Sequence, residues 1–183
     1  MDRKFKKGIV QVYTGDGKGK TTAALGLALR AIGQGFKVYM IQFLKSPKLS
    51  SGEYKIKNIF GDNFELNRLN TPWWSLKSFK NDVHIKRMRE ILKEEIIKLK
   101  GIISSEKYNL IILDEINICL FYGLIDLKEV MEIIKNKPQD AELVLTGRYA
   151  PEELKEIADL VTEIKMIKHP FSTGLKARMG IDY

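Results

Sequence analysis

The chain of 183 residues has a single cysteine, Cys119, so an intrachain disulfide is excluded and a reducing compartment fits. Histidine is almost as scarce. His84 and His169 lie far apart with no cysteine at ligand spacing, which argues against a zinc site built by the protein. No apolar run approaches the ~18 residues of a membrane span. No apolar stretch of the signal-peptide kind follows the basic residues 1–7, so the expected location is the cytoplasm. Internal repeats, low-complexity tracts and linkers are also missing. Without a partner, Cys119 reads as a small core residue.

What is present describes an ordinary globular chain. Hydrophobic residues make up 44% and charged residues 30%. At about 150 residues per domain, one domain over residues 1–183 is expected. Thirty-one Lys and Arg against 23 Asp and Glu leave a net charge of +8. Such a balance suits nucleic acid, a phosphate-rich small ligand or plain solubility. The basic residues are dispersed, with no run of about five or more, so charge lends nucleic acid little support.

Strand and helix signals alternate. Residues 8–13 (Gly-Ile-Val-Gln-Val-Tyr) read as a strand. A glycine-rich turn follows, then a helix over 22–32 with Ala24, Leu25, Ala28, Leu29 and Ile32 at helical spacing, stopped by Gly33 and Gly35. Residues 37–43 form a second strand, so the chain opens β–turn–α–β. A polar loop at 45–52 leads to a short helix at 52–60 and a weaker strand at 63–69. Residues 70–75 (Asn-Thr-Pro-Trp-Trp-Ser) are irregular and hold both tryptophans.

A long helix is predicted over 82–100, with one apolar stripe of Ile85, Met88, Leu92, Ile96 and Leu99. The apolar strand at 108–113 ends in Asp114-Glu115 and reads as buried on both faces. A helix at 126–135 has Asp126 as its N-cap. A strand at 141–145 ends in Thr146-Gly147-Arg148. Pro151 opens a helix to 157, and a strand at 161–166 follows. Residues 168–183 read as a tail over the surface. The fold class is therefore α/β: an open, mainly parallel sheet with flanking helices in a single domain.

The turn Thr14-Gly15-Asp16-Gly17-Lys18-Gly19-Lys20-Thr21-Thr22 carries the chemistry. The P-loop pattern is G-x-x-x-x-G-K-[ST]. Gly19, Lys20 and Thr21 fill its end, while Thr14 stands at the first glycine position. The physical demand is still met. Glycines let backbone N–H groups face an anion, and a helix N-terminus adds partial positive charge. Lys20 reaches phosphate oxygens and Thr21 offers a hydroxyl to magnesium. A ligand-free tight turn is the alternative, but it does not need Gly-Lys-Thr at the start of a helix.

Asp114 and Glu115 sit where P-loop proteins place a metal-holding acid. The alternative for Asp114 is a helix cap, and spacing does not say which acid meets the metal. Arg148 lies past a strand's carboxyl end, where ligands bind in open α/β sheets. It suits a phosphate or carboxylate, or an ion pair with Glu152. Trp73 and Trp74 cannot both point into the core of an extended segment, because neighbours alternate sides. One of them covers a ligand or plugs the surface.

Several stretches in order resemble one family: residues 15–24, Gln42-Phe43, Leu113-Asp114-Glu115 and Leu145-Thr146-Gly147-Arg148. The ending adds Ala158-Asp159, Glu163, Lys168-His169-Pro170, Gly174, Lys176-Ala177 and Met179-Gly180-Ile181-Asp182-Tyr183. Over residues 8–183 the chain resembles the P-loop type ATP:corrinoid adenosyltransferases, in which threonine also replaces the first glycine.

The resemblance implies a P-loop NTPase-like fold. It also implies transfer of the 5′-deoxyadenosyl group of ATP to Co(I) of a reduced corrinoid such as cob(I)alamin, with triphosphate leaving. Catalysis then rests on positioning and charge stabilisation. Gly15, Asp16, Gly17, Lys18, Gly19, Lys20, Thr21 and Thr22 would hold the triphosphate, and Lys20 would offset the leaving charge. Thr21 with Glu115, beside Asp114, would serve magnesium or manganese. Trp73 and Trp74 would contact the corrinoid and exclude an axial ligand. A corrinoid-reducing electron donor and a homodimer are implied as partners. Some members have a longer N-terminal segment over the substrate, and here only residues 1–7 precede the first strand. Two other readings stay open: a kinase or ATPase acting at the γ-phosphate, and a basic, nucleotide-regulated nucleic-acid-binding protein.

Overall fold

The alternation of apolar strands with amphipathic segments dictates a layered α/β structure, and the computed structural model builds one; it describes residues 5–45, 51–71 and 82–182. β1 (Val10–Thr14) leads through the glycine-rich turn into α1 (Lys20–Gly33) and β2 (Val38–Gln42). α2 (Gly52–Phe60) and a 3-10 turn (Gly61–Asn63) precede β3 (Phe64–Arg68). Then come α3 (Asp82–Ser104), β4 (Leu110–Asp114), α4 (Ile116–Phe121) and α5 (Leu127–Lys135). β5 (Glu142–Thr146), α6 (Glu152–Ile157), β6 (Leu160–Glu163) and a 3-10 turn (Pro170–Thr173) follow.

The strands lie in the order β3-β2-β4-β5-β1-β6, and every pairing is parallel. β1 is flanked by β5 and β6, while β2 lies beyond β4. The connections after β1 and β5 therefore leave in opposite directions, and a crevice opens at the carboxyl ends of β1, β4 and β5. Open α/β sheets bind ligands at such a reversal.

Alternate side chains of the central strands feed two cores. Tyr39, Ile41, Ile111, Leu113, Leu143 and Leu145 pack with Met88, Leu92, Ile96, Leu99 and Ile103 of α3 and with α4 and α5. Val38, Met40, Leu110, Ile112 and Val144 face Ala24, Ala28 and Ala31 of α1. Both faces are covered, so β2 and β4 are buried along their whole length. This is why they read as continuous apolar runs rather than alternating ones.

The departures from the sequence expectation have local causes. The helix expected at 82–100 runs on to Ser104, because Ile103 extends the buried stripe. α4 was not foreseen. Its run Ile-Asn-Ile-Cys-Leu-Phe is too short and apolar for periodicity to separate helix from strand. The last strand is Leu160–Glu163 rather than 161–166, since the chain from Ile164 leaves the sheet to bond to the glycine-rich turn. Pro151 is the residue before α6, not a member of it. Asp126 does cap α5, accepting from the Lys128 N–H at 2.9 Å. Cys119 is buried in the core, where desolvation and then Glu115 raise its thiol well above the ordinary range. No helix among the described residues is long and apolar enough to cross a membrane.

Candidate active site

The turn between β1 and α1 is shaped by a distant part of the chain. The segment after β6 lies directly against it. Ile164 donates its N–H to Thr14 O at 2.9 Å, and Gly17 donates to Ile164 O at 2.7 Å. Asp16 accepts the Met166 N–H on Oδ1 at 3.1 Å. A Cβ on Gly15 or Gly17 would come within 2.4 or 2.7 Å of Ile164 O. These two glycines answer a close approach, and the Gly17 N–H is already engaged. Gly19 answers a conformation instead: as N-cap of α1 it has φ 121, a left-handed value that favours glycine. Thr14, at the first glycine position, is buried and accepts the Ala150 N–H on Oγ1 at 3.2 Å. Threonine here ties the turn after β1 to the turn after β5.

Lys20 is the first residue of α1, and its side chain folds back under the turn. Its Nζ donates to Gly15 O at 2.8 Å and Gly17 O at 2.6 Å. Burial lowers its pKa, partly opposed by Glu115. Thr22 is exposed in the first helical turn, a position with no acidic residue to oppose an anion. Lys18 lines the same cavity and is engaged with the tail: its Nζ pairs with Asp182 and donates to Ile181 O at 3.1 Å. Lys18 holds the Asp182 carboxyl below the usual range.

Asp114 and Glu115, adjacent in sequence, have opposite surroundings. Asp114 closes β4 and is wholly buried. Its Oδ1 accepts from Thr21 Oγ1 at 2.9 Å and Thr146 Oγ1 at 2.7 Å. Its Oδ2 accepts from Gln42 Nε2 at 3.1 Å and lies 3.2 Å from Lys45 Nζ. Asp114 is thus no helix cap. Glu115 has the left-handed φ of 68 and turns the chain into α4. Its Oε2 is buried without a hydrogen-bond partner among the described residues. Desolvation, then Asp114, push its carboxyl up to about 7.

A polar group extends from Asp114 along the ends of β2 and β3. Gln42 Nε2 also donates to Glu53 Oε1 at 3.2 Å, and Arg68 Nε donates to Gln42 Oε1 at 2.8 Å. Lys45 donates to Glu53 Oε1 at 3.2 Å, and Arg68 stands 3.6 Å from the same oxygen. Burial would raise the Glu53 carboxyl, but Lys45 and the hydrogen bonds outweigh it and bring it down to about 2. Burial lowers the Lys45 pKa, yet Asp114 and Glu53 leave it raised. The sequence reading missed this group. Polar residues at the carboxyl ends of apolar strands, Gln42 and Arg68, were the available signal.

These parts surround a cavity of about 580 Å³. One wall is the turn and start of α1, from Gly17 to Thr22, and another is Lys45, Gly52 and Glu53. Glu115 and Arg148 also line it. Arg148 is exposed, and its alternative partner Glu152 pairs with Lys155 instead. The tail, expected to lie over the surface, forms the remaining wall with His169, Pro170, Leu175, Lys176 and Ile181. The Lys18 to Asp182 pair joins the tail to the turn. Trp73 and Trp74 lie outside the described residues.

The volume is that of a small-molecule site. The arrangement joins a helix N-terminus, several cations, a threonine hydroxyl and one unpartnered carboxylate oxygen. Among the described residues no group of three or more His, Cys, Asp or Glu could hold a metal. A cation here would need donors from its ligand or from water as well, as magnesium accepts.

Comparison with known proteins agrees with this geometry. The family model for ATP:corrinoid adenosyltransferase BtuR/CobO/CobP matches residues 6–183. A corrinoid adenosyltransferase of Sinorhizobium sp is 40% identical over 180 residues, covering 97% of this chain and 81% of that protein. The corrinoid adenosyltransferase of Escherichia coli K12 is 33% identical over 178 residues, covering 97% and 87%. The flagellar accessory protein FlaH of Methanocaldococcus jannaschii shares the fold, with a TM-score of 0.53 at 12% identity over 87% of this chain and 72% of that one. A family match across nearly the whole sequence, joined to a modified P-loop at the sheet's reversal point, places the chain in the ATP:corrinoid adenosyltransferase family.

Proposed function

We propose that this enzyme transfers the 5′-deoxyadenosyl group of ATP to the Co(I) of a reduced corrinoid. Cobalt supplies the electron pair for the new bond to C5′. The C5′–O bond breaks and triphosphate leaves with its pair. No protein nucleophile is required. The observation that carries this reading is the cavity itself: the P-loop, Glu115 and Arg148 converge on one space in a chain of this family.

In this reading the residues divide the work. The turn from Gly15 to Thr22 and Arg148 hold the polyphosphate. Lys20 leaves its carbonyl partners to meet the departing charge, where a preorganised cation is worth most. Thr21, donating to Asp114, keeps its lone pairs for a divalent cation. Glu115, with its unpartnered Oε2, is the acid that meets magnesium or manganese, while Asp114 orients Thr21. The cation would neutralise phosphate charge and sharpen the leaving group. Trp73 and Trp74 are assigned to the corrinoid. A reductant that delivers Co(I), a homodimer and a cytoplasmic setting complete the reading.

The test is to mix the protein with ATP, magnesium and chemically reduced cobalamin. The expected result is the spectral change of cobalt–carbon bond formation with stoichiometric triphosphate. Release of diphosphate or phosphate without that bond overturns the proposal. Replacing Trp73 or Trp74 is expected to harm corrinoid use more than ATP binding, and equal loss of both would make them structural.

A further inference from the structure

Lys45 emerges just after β2 and lines the cavity beside Glu53. Its Nζ is 3.2 Å from both Glu53 Oε1 and Asp114 Oδ2. An ammonium bridging two largely buried acids is usually held there, because removing it strands their charge. Here each acid has other partners as well. Glu53 Oε1 also accepts from Gln42 and has the Arg68 guanidinium 3.6 Å away. Asp114 retains Thr21 and Thr146 on one oxygen and Gln42 on the other. Withdrawing Lys45 leaves both carboxylates partnered.

The lysine also stands on the right side of the cavity. Asp114 takes Thr21 on Oδ1 and Lys45 on Oδ2, so one carboxylate ties the ammonium to the threonine that follows the P-loop lysine. Its stem is long and rotatable, so Nζ can swing without backbone movement. Lys20 offers a parallel, since its ammonium too is satisfied internally, by Gly15 and Gly17 carbonyls. Lys18, by contrast, is engaged with Asp182 on the tail.

We propose that Lys45 is a further ammonium of the polyphosphate subsite, docked on Glu53 and Asp114 in the nucleotide-free protein and turned onto the phosphate chain when nucleotide binds. This rests on the nucleotide reading of the cavity and adds to it a residue outside the P-loop. Glu53 then acts as the competing anion, setting how readily Lys45 is released.

Calorimetric titration with inorganic tripolyphosphate, with and without magnesium, tests this on the full chain. Lys45→Met is expected to weaken tripolyphosphate binding by about tenfold or more, the scale of one charge-assisted contact. Lys45→Arg should keep most of the affinity. Glu53→Gln removes the competing charge while Arg68 and Gln42 stay in place, and binding should tighten. Lys45→Met binding tripolyphosphate as well as the parent overturns the inference. So does Glu53→Gln weakening it as Lys45→Met does, which would make the pair a rigid support. A Lys45→Met chain that fails to fold also overturns it, because the acids would then depend on the lysine. If the parent chain itself does not bind tripolyphosphate, the failure lies with the nucleotide reading beneath it.

Discussion

The turn after β1 and the turn after β4 stand together at the carboxyl edge of the sheet, yet they are built by different means. The first is shaped by backbone against backbone. Gly15 and Gly17 lie against Ile164, and two main-chain hydrogen bonds lock the contact. The second is shaped by side chains, with Thr21, Thr146, Gln42 and Lys45 converging on Asp114 while Glu115 keeps a bare oxygen. In the proposed reading, one turn sets where a phosphate chain lies. The other sets which groups carry charge beside it. The first should therefore fail on added volume and the second on changed hydrogen-bonding character.

The largest effect tests the place where the two meet. Lys20→Ala should lower turnover on the order of 100-fold or more with the thermal midpoint little changed. Near-normal turnover would remove Lys20 from the mechanism. Next come the two acids. Asp114→Asn replaces an acceptor oxygen among four donors, and should cost about 1–3 kcal/mol in denaturant unfolding. Glu115→Gln should leave stability unchanged or raised, and should abolish the gain in nucleotide affinity from magnesium. A result with the two roles exchanged would reverse their assignment.

The raised Glu115 carboxyl makes the second prediction depend on pH. The folded protein keeps the Glu115 proton up to about 7, whereas the unfolded chain loses it near 4.5. Its contribution to stability is thus fully present at low pH and is lost as pH rises through that window. Magnesium enhancement of nucleotide binding should grow over the same window, since only the carboxylate binds a cation. The Glu115→Gln variant should show neither trend.

The glycines give a contrast of similar size in stability. Gly17→Ala puts a Cβ 2.7 Å from Ile164 O, and should cost about 1–3 kcal/mol by forcing backbone apart. Gly26→Ala, in α1 with nothing near its Cβ, should stabilise by about 0.5–1 kcal/mol. Equal behaviour of the two would mean that the turn yields to the added carbon. A single hydrogen bond is at stake in Thr14→Val. It leaves the Ala150 N–H without its acceptor and should cost about 1 kcal/mol.

Much of this was legible in the chain. The strand–turn–helix opening, the apolar β4 and the stripe of α3 follow from composition and period. So did Lys20, Thr21, Asp114, Glu115 and Arg148 as candidates. α4 was hidden, because six mostly apolar residues carry no readable period. The tail reads as surface and is mostly exposed, but nothing local to it announces that Asp182 meets Lys18.

The contiguous glycines, lysine and threonine of residues 14–22 were enough to mark a glycine-rich turn between a strand and a helix. Why Gly15 and Gly17 are glycines, what Thr14 does and which acid is left open emerge only from the assembled fold. Those answers depend on Ile164, Ala150, Gln42 and Lys45, residues brought in by strand order and crossing connections. A burial or a hydrogen bond between residues far apart in the chain leaves no mark in spacing or period, so it becomes visible only once the sheet is assembled.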